Sequence, residues 1–149
     1  ATGIECKGRA DLIITPADDS APIWVYDLKT VRDIDASVMG RDAVRMGYLG
    51  QLAHYVAGVE ALHPGREVRA GIIAVTGSAP HEVAVLHLDS AMLGAGEAKR
   101  RPLLNRYAEC VRADRWPARY TTPVYLDVPD WAYPDLIADD SADFGDDNE

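Results

Sequence analysis

Near the start of the chain, the hydrophobic and polar pattern shows two short apolar runs separated by a cluster of turn-forming residues. RADLIIT, residues 9–15, and PIWVYDLKT, residues 22–30, are rich in β-branched and aromatic residues, and PADDSA lies between them. Two such runs joined by turn formers are typical of a β-hairpin. The pattern therefore predicts two paired strands near the start of the chain.

The segment after the predicted hairpin has apolar residues at helical spacing. We predict one helix over residues 38–62, with a cap at Asp35 or Ser37 before it and the breakers His63-Pro64-Gly65 after it. Apolar residues within it recur at steps of three and four, which predicts one buried stripe formed by Val44, Leu52, Val56 and Val59.

A second pair of strands is predicted for VRAGIIAVT, residues 68–76, and HEVAVLHL, residues 81–88. Apolar residues fall at both odd and even positions of these runs, which predicts strands covered on both faces. Asp89 caps a further helical region to about Ala113, interrupted by Gly94, Gly96 and Pro102. The order β-β-α-β-β-α predicts an α/β fold with a central mixed sheet flanked by helices.

The formal net charge of −9 is concentrated at the end of the chain. Residues 127–149 contain nine of the 24 acidic residues and no basic one, so residues 1–126 balance 15 basic against 15 acidic residues. We therefore predict a single domain over residues 1–126 and an acidic, disordered tail over residues 127–149.

Positive charge is also clustered. The segment Lys99–Arg119 holds seven basic residues against Glu109 and Asp114. Such a segment can bind the phosphate backbone of DNA, although a solvated helix face is the alternative for many of its charges.

Cysteine and hydropathy patterns limit the class of protein. Cys6 and Cys110 are too few for a disulfide framework and lack the spacing of a zinc or iron–sulfur site. No apolar run approaches the roughly 20 residues of a membrane-spanning helix. We expect a soluble cytoplasmic protein with no membrane partner.

Two carboxylates and an amine lie at the ends of the first two predicted strands. Asp11 precedes one apolar run, and Asp27 and Lys29 end the next. Strand alternation places Asp27 and Lys29 on one face and predicts that Leu28 points into the core. Two carboxylates and a backbone carbonyl suit Mg²⁺, and a nearby lysine can orient a water. The alternative is a surface ion pair, which contributes little to stability.

Polar and aromatic residues share one face of the predicted helix. Tyr48, Gln51 and Tyr55 are spaced i, i+3 and i+7. This face can meet DNA bases or phosphates, or the tyrosines can be boundary residues beside a solvated glutamine.

GRADLI, VYDLKT and the helical YLGQLAHY together resemble the PD-(D/E)XK nuclease superfamily, within it the RecE, lambda-exonuclease and RecB-like branch. The motifs cover about residues 8–61, and a looser likeness extends to Trp131. The resemblance implies a restriction-endonuclease-like core, with Asp11, Asp27 and the Leu28 carbonyl as metal ligands. It further implies catalytic roles for Asp11, Asp27, Lys29, Gln51 and Tyr55, and DNA binding by Tyr48, Gln51, Tyr55, Thr30 and Arg45.

The same resemblance implies an activity and partners. These are Mg²⁺-dependent (or Mn²⁺-dependent) exonuclease action on duplex DNA in 5′-to-3′ direction, a role in phage or prophage recombination, a ring-shaped homo-oligomer and a single-strand annealing protein as partner. Two alternatives stay open: a non-catalytic DNA-binding or assembly domain that retains the nuclease fold, and a structure-specific endonuclease of the same superfamily.

One departure from the family pattern concerns its first helix. That helix precedes the first strand and usually contributes a further acidic or histidine ligand, whereas seven residues precede Gly8 here. We expect this helix to be missing, either because the chain is a fragment or because the site is incomplete and weakly active.

Overall fold

A computed structural model of the chain describes residues 2–129 and 131. By its contacts the chain divides into two units, Ala1–Arg115 and Trp116–Glu149. The four strands and three α-helices that the structure describes lie in the first unit. Residues 116–129 of the second unit are irregular and mostly exposed. The predicted acidic tail, residues 127–149, falls almost wholly outside the described residues.

Four strands form a mixed sheet. They are β1 (Leu12–Ile14), β2 (Ile23–Val31), β3 (Val68–Thr76) and β4 (Val83–His87), and they lie side by side in chain order. The outer pairs are antiparallel and the central pair, β2 with β3, is parallel. Both predicted strand pairs are confirmed, and so is the predicted α/β class with a mixed sheet.

The segment predicted as one helix forms two, and the single-helix prediction is wrong. Helix α1 (Ala36–Arg45) and helix α2 (Tyr48–Leu62) are separated at Gly47, whose φ of 77° is left-handed. Glycine adopts this conformation without the steric cost that a side chain brings, so the chain can change direction there. Of the two predicted caps, Asp35 is the one used: its side chain accepts from the Ser37 and Val38 amides.

The core lies between α2 and one face of the sheet. Leu52, Val56 and Val59 of α2 are buried in a cluster with Val25 of β2. Val44, predicted to belong to the same stripe, is 55% exposed. The prediction fails for Val44 because the break at Gly47 ends the helical register that would have aligned it with α2.

A single helix, α3 (Ser90–Ala113), follows β4 and packs on α2. The predicted interruption is wrong, because Gly94, Gly96 and Pro102 all lie within it. Gly96 has a packing role: a Cβ there would overlap the carbonyl oxygen of Leu49. The glycine therefore permits close approach of α2 and α3 rather than breaking the helix.

Two predictions about strand burial are wrong. Leu28 does not point into the core but is 52% exposed, and Val83 and Val85 of β4 are also more than half exposed. Both predictions fail for the same reason. Helix α2 covers the sheet face that carries Asp27, and Leu28, Val83 and Val85 lie on the opposite face. Apolar residues at both odd and even positions thus reflect one covered and one open face in β4.

Candidate active site

Asp27 is the buried carboxylate around which the site is organised. It follows Ile23 and Val25 on the face of β2 that packs against α2, and only 3% of its surface is exposed. Strand alternation continues the core face into this polar position. A carboxylate in such a place needs partners, since an isolated buried charge is costly.

Gln51 supplies one partner and connects three side chains. Its Nε2 donates to Asp27 Oδ1 and to the Tyr55 hydroxyl, each at 3.0 Å, while its Oε1 accepts from Lys29 Nζ at 3.1 Å. Gln51 and Tyr55 are one helical turn apart on α2, which is why one amide reaches both Tyr55 and the strand. The helix face predicted to carry Tyr48, Gln51 and Tyr55 therefore contacts the strand motif directly.

Lys29 supplies the second partner. Its ammonium forms an ion pair with Asp27 Oδ2 and lies 4.4 Å from the centre of the Tyr48 ring. Asp27 Oδ2 is buried and has no hydrogen bond, so the ammonium is the compensating charge for that oxygen. The aromatic face of Tyr48 favours the cation and helps to hold it beside the carboxylate.

Asp27 is the fifth residue of the nine-residue β2, so the prediction that it lies at the end of a strand is wrong. Asp11 directly precedes β1 and reaches the middle of β2 from that side. Its Oδ2 accepts a hydrogen bond from the Leu28 amide at 2.8 Å. The antiparallel register pairs Leu12 with Tyr26, and one further step along it places Asp11 opposite Asp27. Asp11 is exposed, so its second oxygen can meet a solvent-borne ligand.

The set of possible metal ligands around Asp27 is small and consists of oxygen atoms. The described residues contain no cluster of three or more His, Cys, Asp and Glu side chains suited to a metal. Mg²⁺ is commonly held by one or two carboxylates and completes its octahedron with water and substrate oxygens. The Asp11 and Asp27 carboxylates are donors of that kind, and Asp27 Oδ2, which has no hydrogen bond and faces only the Lys29 ammonium, is an acceptor that a metal ion could take over from the ammonium.

Two predicted DNA-binding residues do not join this cluster. Thr30 is exposed on the opposite face of the sheet from Asp27 and Lys29. Arg45 ends α1 with its side chain 75% exposed and paired with Asp42 at 3.0 Å. Tyr48, Gln51 and Tyr55 are brought to the cluster.

The basic segment on α3 is partly neutralised by its own helix. Glu97 pairs with Arg100 and Arg101, and the hydrogen bond from Arg100 lowers the pKa of the Glu97 carboxyl below its ordinary value. Because Glu97 neutralises part of their charge, Arg100 and Arg101 attract a phosphate less strongly than the number of basic residues in this segment indicates.

The role of Gly8 is not apparent from the sequence pattern. A Cβ at Gly8 would lie 2.9 Å from the Tyr55 ring, so glycine lets the backbone cross that ring closely. Gly8 is the first residue of the strand motif, but its partner on a helix 47 positions later cannot be inferred from local pattern.

In the part of the chain that the structure describes, no helix combines the length and apolar character of a membrane span. No curated protein matches the chain. A family model described as a PDDEXK-like domain of unknown function (DUF3799) matches residues 1–125. This match confirms the predicted PD-(D/E)XK superfamily and its nuclease-type fold, while the RecE-like branch stays a prediction. The chain belongs to this family of PDDEXK-like domains.

Proposed function

We propose that this chain is a metal-dependent DNA exonuclease that hydrolyses phosphodiester bonds. The observation that carries the proposal is the buried Asp27 in the middle of β2, paired with Lys29, hydrogen-bonded to Gln51 and approached by Asp11. A buried charged cluster of this kind lowers stability relative to an apolar one. Its retention is explained by a need for those charges in chemistry.

Asp11, Asp27 and the Leu28 carbonyl would hold Mg²⁺ or Mn²⁺. When bound, the ion supplies Lewis acidity toward the scissile phosphate. Both Asp27 oxygens are engaged by Gln51 and Lys29 in the structure, so binding requires Lys29 to release Oδ2. The Lys29 side chain is 19% exposed, so its ammonium has a path toward a bound phosphate.

Lys29 would donate to a phosphate oxygen or orient the attacking water. Gln51 keeps the ammonium in reach through its Oε1, and Tyr48 limits its swing from the other side. Tyr55 fixes the Gln51 amide through the second Nε2 hydrogen bond and borders the path of the DNA strand. This arrangement preorganises a positive charge where negative charge develops in the transition state.

The finer parts of the proposal rest on the resemblance to RecE-type exonucleases. They are end resection of duplex DNA in phage or prophage recombination, 5′-to-3′ polarity, a homo-oligomeric enzyme and a single-strand annealing protein as partner. Arg45 and the basic segment on α3 would contact the DNA backbone at a distance from the cluster. We also propose a cytoplasmic location.

A non-catalytic DNA-binding or assembly domain is the second candidate. One observation favours it: the described residues offer the two carboxylates of Asp11 and Asp27 and no third acidic or histidine ligand near them. A structure-specific endonuclease would use the same cluster and differ only in the DNA it accepts.

The test compares end-labelled linear duplex with closed circular DNA, each in Mg²⁺ or EDTA, for the wild type, Lys29→Ala and the control Lys7→Ala. Lys7 is exposed and outside the cluster. We expect Mg²⁺-dependent loss of linear DNA alone, with Lys29→Ala at least about 100-fold slower because an electrostatic donor is removed. Lys7→Ala should match the wild type.

Other results have distinct meanings. Cutting of the circle would replace the exonuclease by an endonuclease. If the wild type binds DNA but leaves both substrates intact at every Mg²⁺ or Mn²⁺ concentration, the non-catalytic candidate is correct. Equal loss of activity in Lys7→Ala and Lys29→Ala would contradict the assignment of Lys29.

A further inference from the structure

Two cations compete for one oxygen of the buried Asp27 carboxylate. Its Oδ1 accepts a hydrogen bond from Gln51, whereas its Oδ2 is buried without a hydrogen bond and is paired with the Lys29 ammonium. A metal ion held by Asp27 would need this same oxygen, because carboxylate oxygens are ligands that Mg²⁺ prefers. An ammonium and a divalent ion repel each other strongly at short range, so they cannot share Oδ2.

The other contacts of the Lys29 ammonium are neutral. Gln51 Oε1 accepts a hydrogen bond from it at 3.1 Å, and the centre of the Tyr48 ring lies 4.4 Å away. In the part of the chain that the structure describes, Asp27 is the acid that pairs with Lys29. Because the Lys29 side chain is only 19% exposed, an ammonium that leaves Oδ2 stays largely buried without a counter-charge, which is costly.

A DNA phosphate would supply that counter-charge. Its oxygens are strong acceptors for a lysine ammonium. A phosphate that binds Lys29 draws the ammonium away from Asp27 Oδ2 and so favours metal binding there, and loss of the Asp27 partner makes the ammonium available to a phosphate. Because coupling between two binding events is reciprocal, each ligand raises the affinity for the other by the same factor.

We infer that Lys29 is a built-in competitor for the metal ion at Asp27, and that the metal ion and DNA therefore bind cooperatively. This inference rests on the proposed function, since it takes a metal ion and a DNA phosphate as the ligands of this site. It gives Lys29 a role before DNA arrives, which is to weaken metal binding. A lysine that served the phosphate alone would not be displaced when a metal ion binds.

The first measurement follows metal binding to the full chain without DNA, by isothermal titration calorimetry with Mn²⁺. Asp27→Asn defines the site, because the binding that this variant loses is binding at Asp27. We expect Lys29→Met to bind Mn²⁺ at this site at least about fivefold more tightly than the wild type, because the competing ammonium is absent. Lys7→Met is the matched control and should bind like the wild type, since Lys7 is exposed and outside the cluster.

The second measurement detects the displacement itself and needs no variant. Brief acetylation followed by mass spectrometry compares Lys29 with the exposed Lys7 and Lys99 in one sample, with and without Mn²⁺. We expect Mn²⁺ to raise the labelling of Lys29 at least about twofold, because its amine is no longer held in a buried ion pair. The labelling of Lys7 and Lys99 should not change.

The third measurement addresses the coupling to DNA. Fluorescence anisotropy gives the affinity for a short duplex with phosphorothioate linkages, which keep the negative charge and resist hydrolysis, at constant ionic strength with and without Mn²⁺. We expect Mn²⁺ to tighten DNA binding by the wild type at least about fivefold. The factor should be smaller for Lys29→Met, which circular dichroism should show to be folded.

Four results would overturn the inference. They are no Mn²⁺ binding that Asp27→Asn loses, Mn²⁺ binding by folded Lys29→Met that is no tighter than the wild type, Lys29 labelling that Mn²⁺ leaves unchanged, and equal coupling to DNA in both proteins. Tighter binding with unchanged labelling would mean that the Lys29 charge acts at a distance and does not compete for Oδ2.

Failure of this inference can be distinguished from failure of the proposed function, because none of the three measurements requires hydrolysis. Displacement of Lys29 in a chain that leaves DNA intact would contradict the nuclease and support the competition. Metal-dependent cleavage without displacement of Lys29 would support the nuclease and contradict the competition.

Discussion

Asp27 and Lys29 depend on each other for stability as well as for the proposed chemistry. Asp27 is 3% exposed, and the Lys29 ammonium is the compensating charge for its Oδ2. Removing one member of a buried ion pair is costly because the other charge is left unpaired, whereas replacing both with apolar residues is often neutral. The two effects can be separated by single and double substitutions.

We predict that Lys29→Met lowers the free energy of unfolding by about 2 kcal/mol. This is less than the 3–5 kcal/mol of a fully buried pair, because the Lys29 side chain keeps 19% exposure. The double variant Asp27→Leu, Lys29→Met should regain most of the lost stability, and it should be inactive on DNA. Urea unfolding measures the stability, and a double variant no more stable than Lys29→Met would contradict the pairing.

At the scale of the element, the start of α1 depends on an ionised cap. Asp35 accepts hydrogen bonds from the Ser37 hydroxyl and amide at 2.6 and 2.8 Å and from the Val38 amide. The hydrogen bond from the Ser37 side chain, followed by that from its amide, lowers the pKa of Asp35 below its ordinary value of 3.8.

This lowered pKa gives a pH prediction with a defined sign. Because the folded value lies below the unfolded one, the cap stabilises the protein fully above about pH 4 to 5 and loses this contribution as the pH falls through the folded value. Asp35→Ala should melt below the wild type at pH 7, by roughly a few degrees, and the gap should narrow below pH 4. Asp35→Asn keeps the acceptor without the charge, so it should melt closer to the wild type and show a smaller change with pH.

Two glycines of α3 that look alike in sequence differ in their role in helix packing. A Cβ at Gly96 would overlap the Leu49 carbonyl oxygen of α2, whereas a Cβ at Gly94 would meet nothing within 4 Å. We predict that Gly96→Ala destabilises by about 1–3 kcal/mol through overpacking. Gly94→Ala should stabilise by about 0.5–1 kcal/mol through helix propensity. Thermal unfolding of both variants checks the contrast, and equal effects would refute the packing role of Gly96.

At the scale of the whole molecule, Arg66 connects parts of the chain that are distant in sequence. Its guanidinium donates to Asp19 at 2.7 Å and to the Ala21 and Asp18 carbonyl oxygens at 2.9 and 3.2 Å. The β1–β2 loop is thereby anchored to the turn before β3. The Arg66 side chain is 14% exposed, and its Nε has no hydrogen-bond partner.

We predict that Arg66→Lys lowers the free energy of unfolding by about 1–2 kcal/mol. A lysine ammonium cannot reproduce the planar set of donors, so carbonyl oxygens of the β1–β2 loop lose their partners. Arg45→Lys is the matched control, because its pair with Asp42 is exposed and should change stability by less than about 0.5 kcal/mol. Chemical denaturation of the two variants decides the prediction, and similar losses in both would contradict it.

Local pattern was sufficient for the strands and the helix caps. It also singled out Asp27, Lys29, Gln51 and Tyr55, which the structure brings into contact, because strand alternation and helical spacing are short-range regularities that survive folding. The same regularities failed at Gly47 and Gly96. A glycine can break a helix or allow another element to approach it, and which of these occurs depends on a neighbour that the local sequence does not name.

The sequence by itself determined the order of strands, the chemistry of the two motif segments and the acidic bias of the chain end, since these need only residue type and spacing. The tertiary structure decided that Gln51 joins Asp27, Lys29 and Tyr55, because α2 must first pack on β2 to bring residues 24 positions apart within 3.0 Å. It also decided which side of the sheet is core. Alternation defines two faces of a strand, but only packing of α2 determines which face is buried and leaves Leu28 and Val85 exposed.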